Sequence, residues 1–281
     1  MTFTGWLKMA NRNVEIICVG NELLIGKTLN TNAHWLAKRI TSLGLTVNRI
    51  TVVGDNLNDI SAIIKEAIQR TPCFIITTGG LGPTFDDMTL EGIAKGLGRE
   101  LEENQEAMDM VRKKYERYVA EGRIDKYEMT PYRKKMAKLP KDAMPLPNPV
   151  GTAPGVLINE SQVKIIVLPG VPSEMMAIFD ESVAPIMRKN SGDLMFFEAS
   201  LDVKEMPESQ LAPLIDEVMR DNPYIYIKSH PQASEKVPHL ELHLSTTSID
   251  PKIARQRMSK AIVQISEMIK GKGGKVKPIM S

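Results

Sequence analysis

Cysteine is scarce in this chain of 281 residues, which has only Cys18 and Cys73. Both fall inside apolar, strand-like runs. Two thiols so placed argue against a disulfide framework or a cysteine metal cluster and fit buried, reduced thiols of a cytoplasmic protein. An excess of one charge is also missing. The 36 Lys and Arg against 34 Asp and Glu leave a net +2, so no global field points to a nucleic-acid partner. No apolar run reaches the length of a membrane span, so no membrane partner is expected. The opening MTFTGWLKMANRN lacks the apolar core of a signal peptide and reads as a short tail before the first strand. Internal repeats and low-complexity tracts are absent as well. What is present is ordinary for a globular protein, with 42% apolar and 25% charged residues. The length suits one large α/β domain and a smaller one.

The pattern of elements says more. VEIICVG (14–20) is a short β-branched run ending on glycine and reads as a buried strand. Leu36, Ala37, Ile40 and Leu43 follow at helical spacing, with Gly44 as a stop. TVNRITVVGD (46–55) reads as a second strand. Ile60, Ile63, Ile64, Ala67 and Ile68 form one apolar stripe of a helix for which Asn58 is the expected N-cap. CFIITT is a third strand. Strand and helix alternate as in a parallel sheet wrapped by helices. A helix runs from Thr89 to about Leu97. The charged stretch from Glu102 to Leu139 reads as helix-rich; its Lys and Arg density suits a phosphate-facing surface, but a solvated helical face is the favoured reading. GVLIN and VKIIV supply further strands, and the first domain is expected to span residues 14–190. From 191 to 281 the order becomes βαββα, a small two-layer α+β domain.

Four loops that leave apolar runs carry the chemistry. VGNELLIGKTLNTN places Asn21 and Glu22 where the first strand ends, with Asn32 beyond. In TTGGLGPTFDD, Thr78 is followed by Gly79, Gly80 and Gly82, which permit close backbone approach and an N–H nest for an anion. The helix opening near Thr89 adds a positive dipole end. Asp86 and Asp87 stand beside that nest. Carboxylates repel phosphate unless a cation lies between, and a divalent metal bridging both resolves the conflict. NPVGTAPG contributes Asn148 and Gly151. LPGVPSEM contributes Gly170, Pro172, Ser173 and Glu174. In open α/β sheets ligands sit beyond the carboxyl ends of the strands, where these loops emerge. The loops match neither a Walker A loop, which needs Gly-Lys-Ser/Thr, nor GxGxxG.

GNELLIGKTLNTN, TTGGLGPTFDDMT, NPVGTAPG and LPGVPSEM, in this order, resemble the amino-terminal module of the CinA (competence/damage-inducible) family. That module is similar to the MoaB/Mog molybdopterin-binding fold. The resemblance implies a parallel-sheet, three-layer MoaB/Mog-like α/β domain over 14–190. The small α+β domain over 191–281 resembles the second, KH-like CinA domain. Full-length CinA proteins carry a further amidohydrolase domain acting on nicotinamide mononucleotide. No counterpart to it is found in these residues, so that activity is not expected.

For the shared module the resemblance implies metal-dependent hydrolysis of a nucleotide pyrophosphate such as ADP-ribose. The alternative is molybdopterin binding or adenylyl transfer in molybdenum cofactor biosynthesis. Mog-like loops read Gly-Gly-Thr-Gly, whereas Leu81 stands in place of that Thr here, and GPTFDD is the CinA-like form. The hydrolase is therefore the favoured expectation. Asp86 and Asp87 would hold Mg, Mn or Co, and Glu22 would serve as a second ligand or general base. The other loop residues would bind substrate and phosphate.

His239, Glu241 and His243 alternate on one strand face, which suits either a metal or an ordinary polar face in water. His34 reads as a helix-surface residue. The GxxG loop of an RNA-clamping KH module is missing from MRDNPYIYI, so RNA binding is not expected. A homodimer is expected, with the second domain of one subunit near the other's site and Lys228 and His230 facing phosphate.

Overall fold

A computed structural model describes residues 11–192, 194–232 and 237–279. The expected tail falls outside these for its residues 1–10. The chain forms two compact units, divided after Ser191 except that Ser42–Gly44 group with the second.

The first unit begins with β1 (Asn13–Val19), α1 (Asn21–Leu24), α2 (Thr31–Ser42), β2 (Thr46–Val53), α3 (Leu57–Gln69) and β3 (Phe74–Thr78). Next come α4 (Thr89–Leu97), β4 (Leu101–Glu103), α5 (Gln105–Ala120), α6 (Pro131–Lys135), β5 (Lys138–Pro140), β6 (Met144–Leu146), β7 (Gly155–Glu160) and β8 (Val163–Leu168). It ends with α7 (Pro172–Ile178), which passes through a π turn at Phe179–Val183 into α8 (Ala184–Ser191). The central sheet has the order β2-β1-β3-β8-β7-β6. Its first four strands are parallel, β7 runs antiparallel to β8, and β6 runs antiparallel to β7. The fold is the expected α/β sandwich around a largely parallel sheet, with this antiparallel edge added. The reason is local: only two residues separate β7 from β8, and a parallel pair needs a crossover of roughly a dozen residues.

The strands are near-continuously apolar because helices cover both sheet faces. Ile17, Val19, Ile75, Ile165 and Val167 pack with Ile60 and Ile64 of α3, Ile93 of α4 and Val111 of α5. The alternate residues Ile16, Cys18, Phe74, Ile76 and Ile166 are buried as well and, by the two-residue period of a strand, point the other way. On α2, Trp35 meets Phe179 of the π turn edge-to-face at 5.4 Å. The cap of α3 differs from the expected Asn58. Asn56 Oδ1 accepts from Asn58 N at 2.8 Å and Asp59 N at 3.2 Å, so the helix starts one residue before Asn58.

The second unit contains β9 (Met195–Lys204), α9 (Glu208–Asp221), β10 (Tyr226–Pro231), β11 (His239–Ser248), α10 (Pro251–Gly271) and β12 (Lys275–Ile279). Its antiparallel sheet has the order β10-β11-β9-β12. The expected βαββα order lacked β12. That strand is a short Lys-rich edge carrying Pro278, a composition that suits an edge position and carries little strand signal. Leu240, Leu242 and Leu244 of β11 join Leu201 and Val203 of β9 under Leu211, Leu214 and Val218 of α9 and Ile265 and Ile269 of α10. Among the described residues no helix is long and apolar enough to cross a membrane.

Candidate functional site

Parallel register builds the site. Val19 pairs with Val53, Cys18 with Thr78 and Thr78 with Leu168. The carboxyl ends of β1, β2, β3 and β8 therefore lie side by side, and the loops leaving them converge. A cleft of about 250 Å³ opens there, lined from these loops by Gly20, Glu22, Thr28, Asn30, Asn32, Asp55, Thr78, Gly79, Gly80, Asp86, Asp87, Gly170 and Pro172, among others.

Backbone geometry selects the two glycines after β3. Gly79 has φ +109°, and a Cβ there would lie 2.1 Å from the Val19 carbonyl oxygen. Gly80 has φ +65°, and its Cβ would lie 2.3 Å from Thr89 Oγ1. Only glycine fits both. The expected nest of three glycine donors is corrected in one respect. The Gly79 N–H already donates to Leu168 O at 3.1 Å, so Gly79 shapes the turn and is no phosphate donor. The N–H groups of Gly80, Leu81 and Gly82 have no partner among the described residues and remain available to an anion. Buried Thr89 closes the loop, its hydroxyl donating to Gly79 O at 2.8 Å and its N–H to Gly80 O at 3.2 Å.

Among the described residues four carboxylates line the cleft, and no Lys or Arg does. Asp55 Oδ2 accepts from the Asn21 N–H at 2.8 Å, and Asn21 Oδ1 accepts from Asp55 N at 3.3 Å, tying two loops together. Asp86 and Asp87 share one hydroxyl. Thr84 Oγ1 contacts Asp86 Oδ1 and lies 2.5 Å from Asp87 Oδ2, which also accepts the Thr84 N–H at 2.9 Å. One hydroxyl proton serves one carboxylate at a time, so a cation against both would relieve the pair. The Thr84 hydroxyl, the backbone N–H of Asp86 and the Lys135 charge hold the exposed Asp86 carboxyl below its ordinary pKa. Lys135 reaches the loop from α6 through the Thr84 carbonyl. With Lys138 it lines an adjoining recess that shares Gly80 and Asp87.

Among the described residues no three His, Cys, Asp or Glu side chains gather closely enough to hold a metal by themselves. The donor set therefore does not fit an all-protein cage. It fits a magnesium-like ion held by one or two carboxylates, with its other positions filled by water and phosphate oxygens.

The structure brings Glu22, Asn32, Thr78, Gly79, Gly80, Asp86, Asp87, Gly170 and Pro172 onto this cleft. Asn32 Nδ2 donates to Gly170 O at 2.8 Å and Thr78 Oγ1 at 3.1 Å, while its buried Oδ1 lacks a partner among the described residues. Asn21 supports the wall from behind, and Gly82 lies in the adjoining recess. Asn148 and Gly151 line a separate cleft, and Glu174 is bound to Asn148 there. Ser173 is exposed and lines neither cleft. Asp55, Thr84 and Lys135 were missed by sequence reading. For Asp55 the signal was present, as a Gly-Asp pair directly after a strand. Lys135 is distant in the chain and only folding brings it near.

On β11, His239 pairs with Asp202, and His243 Nε2 lies 3.0 Å from Glu198 Oε2. The alternation there is a polar face hydrogen-bonded across the strands. His34, Lys228 and His230 are exposed.

Residues 15–189 match the family described as "Probable molybdopterin binding domain", and the chain belongs to that family. A protein of Pyrobaculum arsenaticum is 45% identical over 92% of this chain and 95% of its own length. A second, from Aeropyrum pernix, is 41% identical over 93% of this chain and 95% of its own. The crystal structure of CinA from Thermoplasma acidophilum superposes with a TM-score of 0.57 at 42% identity, covering 62% of this chain and 98% of that one.

Proposed function

We propose that the first unit hydrolyses a nucleotide pyrophosphate such as ADP-ribose, with the phosphates held against Asp86 and Asp87 through a divalent cation. The observation that carries this reading is the pair of carboxylates sharing one Thr84 hydroxyl beside unpartnered glycine-loop N–H groups. An ion at that pair would neutralise phosphate charge and supply a water of lowered pKa. Glu22, on the loop after β1, is the candidate base. The Gly80, Leu81 and Gly82 N–H groups orient phosphate oxygens. Leu29 on the cleft wall is 83% exposed, and Phe85 beside Asp86 is 89% exposed. Both suit a ligand with a planar ring.

With Mg²⁺, Mn²⁺ or Co²⁺, the protein is expected to release AMP from ADP-ribose, and Asp86→Asn to lower the rate by roughly a hundredfold or more. Thr84→Val removes the first cause of the depressed Asp86 pKa, so the acid limb of activity moves to higher pH. Intact ADP-ribose and related dinucleotides with all three metals would sink the proposal. The family match favours a second reading, in which the same loops bind molybdopterin or transfer adenylate to it. Thermal protection by molybdopterin and not by ADP-ribose would select that reading.

A further inference from the structure

We propose that the first unit carries a second anion-binding cleft, which takes a phosphate or pyrophosphate group without a metal. It is formed by Lys113, Lys114 and Arg117 of α5 and by the loop 147–154, and encloses about 240 Å³. It shares no lining residue with the Asp86 cleft, and among the described residues no carboxylate lines it directly, although the Glu174 carboxylate, bound to Asn148, lies just behind Gly151.

Arg117 stands three residues after Lys114 and four after Lys113, spacings at which like charges weaken a helix by a few tenths of a kcal/mol per pair. Neutralisation inside the protein is incomplete. Arg117 pairs with Glu121 at 2.5 Å. Lys113 has no ion-pair partner among the described residues. The Lys114 ammonium donates to the Pro149 carbonyl at 2.8 Å, and among the described residues no carboxylate forms a salt bridge with it, although Glu121 and Glu174 attract it from farther off. Burial, then the neighbouring Arg117 charge, lower the Lys114 pKa, and the opposing pull of Glu121 and Glu174 does not offset them.

The opposite wall is rigid. Asn148 Oδ1 accepts from Val150 N at 3.0 Å and Gly151 N at 2.7 Å. Its Nδ2 donates to Ala153 O at 2.8 Å and Glu174 Oε2 at 2.7 Å. The Thr152 hydroxyl reaches only the Met136 sulfur, at 3.8 Å, and is free to turn toward a phosphate oxygen. Charge and a fixed loop thus meet in one recess, as anion recognition requires. The proposal does not depend on the hydrolase reading.

Chelation separates the two clefts, because an acidic cleft stripped of metal repels phosphate. In EDTA at low salt, calorimetry is expected to detect inorganic pyrophosphate binding to the full chain. The Lys113→Gln/Arg117→Gln variant, which alters two exposed side chains and leaves the Lys114 contact in place, should weaken binding roughly tenfold or more. The Asp86→Asn/Asp87→Asn variant should bind as the parent does. ADP binding with the same sensitivity assigns a nucleotide's phosphates, and pyrophosphate binding alone assigns a free anion; both support the cleft. No binding in EDTA, binding unchanged in the lysine–arginine variant, or binding lost with the two aspartates would each overturn it.

Discussion

In the first unit four parallel strands deliver Val19, Val53, Thr78 and Leu168 to one sheet edge, whereas the antiparallel strands of the second unit send successive ends to opposite edges. Parallel order therefore gathers loops distant in sequence, from Gly20 to Gly170, around one cleft. Antiparallel order sets side chains beside one another across strands instead, and the second unit's polar sheet face carries the diagonal pairs His239–Asp202 and His243–Glu198. One sheet concentrates its chemistry in backbone turns and strand-end carboxylates. The other distributes cross-strand contacts that are individually weak.

The largest test of this contrast is a turn glycine. Gly79→Ala forces a side chain to φ +109° and drives Cβ against the Val19 carbonyl, which is backbone and cannot swing aside. A loss of about 3 kcal/mol or more is expected in denaturant unfolding, together with loss of ligand binding. A change under about 1 kcal/mol would show that the turn relaxes and that backbone geometry does not hold the site.

A smaller effect comes from the edge where β3 begins. Burial pushes the Cys73 thiol up to about 11 from 9.0. The unfolded thiol ionises first, so between these values the unfolded chain binds fewer protons than the folded one. Stability should therefore fall as pH rises from about 9 to about 11, by about 2–3 kcal/mol over the window. Cys73→Ala should reduce that slope to the part owed to Cys18, whose thiol burial also pushes up, and an unchanged slope would place its source elsewhere. The smallest effect belongs to the second unit. The His243–Glu198 pair is partly exposed, with Glu198 at 56%, and His243→Ala should cost less than about 1 kcal/mol. A loss as large as that of Gly79→Ala would break the comparison.

How much of this was legible beforehand depended on range. The strands of the first unit were readable because burial on both faces demands unbroken apolar runs such as FIITT. TTGGLGPTFDD was readable as a site because consecutive glycines before two carboxylates have few structural uses. Gly79 as a donor was misread, since nothing local reveals that Leu168 takes its N–H. The Asn58 cap was misread because two candidate residues stand two apart and only the helix start separates them. Strand β12 escaped because an edge strand carries little hydrophobic pattern.

By itself the sequence determined the periodicities that make strands and helices, the glycines that permit left-handed turns, and the carboxylates that call for a cation. These are local properties, set by residue type and spacing. Tertiary structure alone decided which loops meet. It set Asp55 against Asn21, brought Lys135 to the Thr84 carbonyl, and sorted Asn148 and Gly151 into a cleft apart from Asp86. Strand order and register carry that information, because hydrogen bonding between distant segments fixes which strand ends become neighbours.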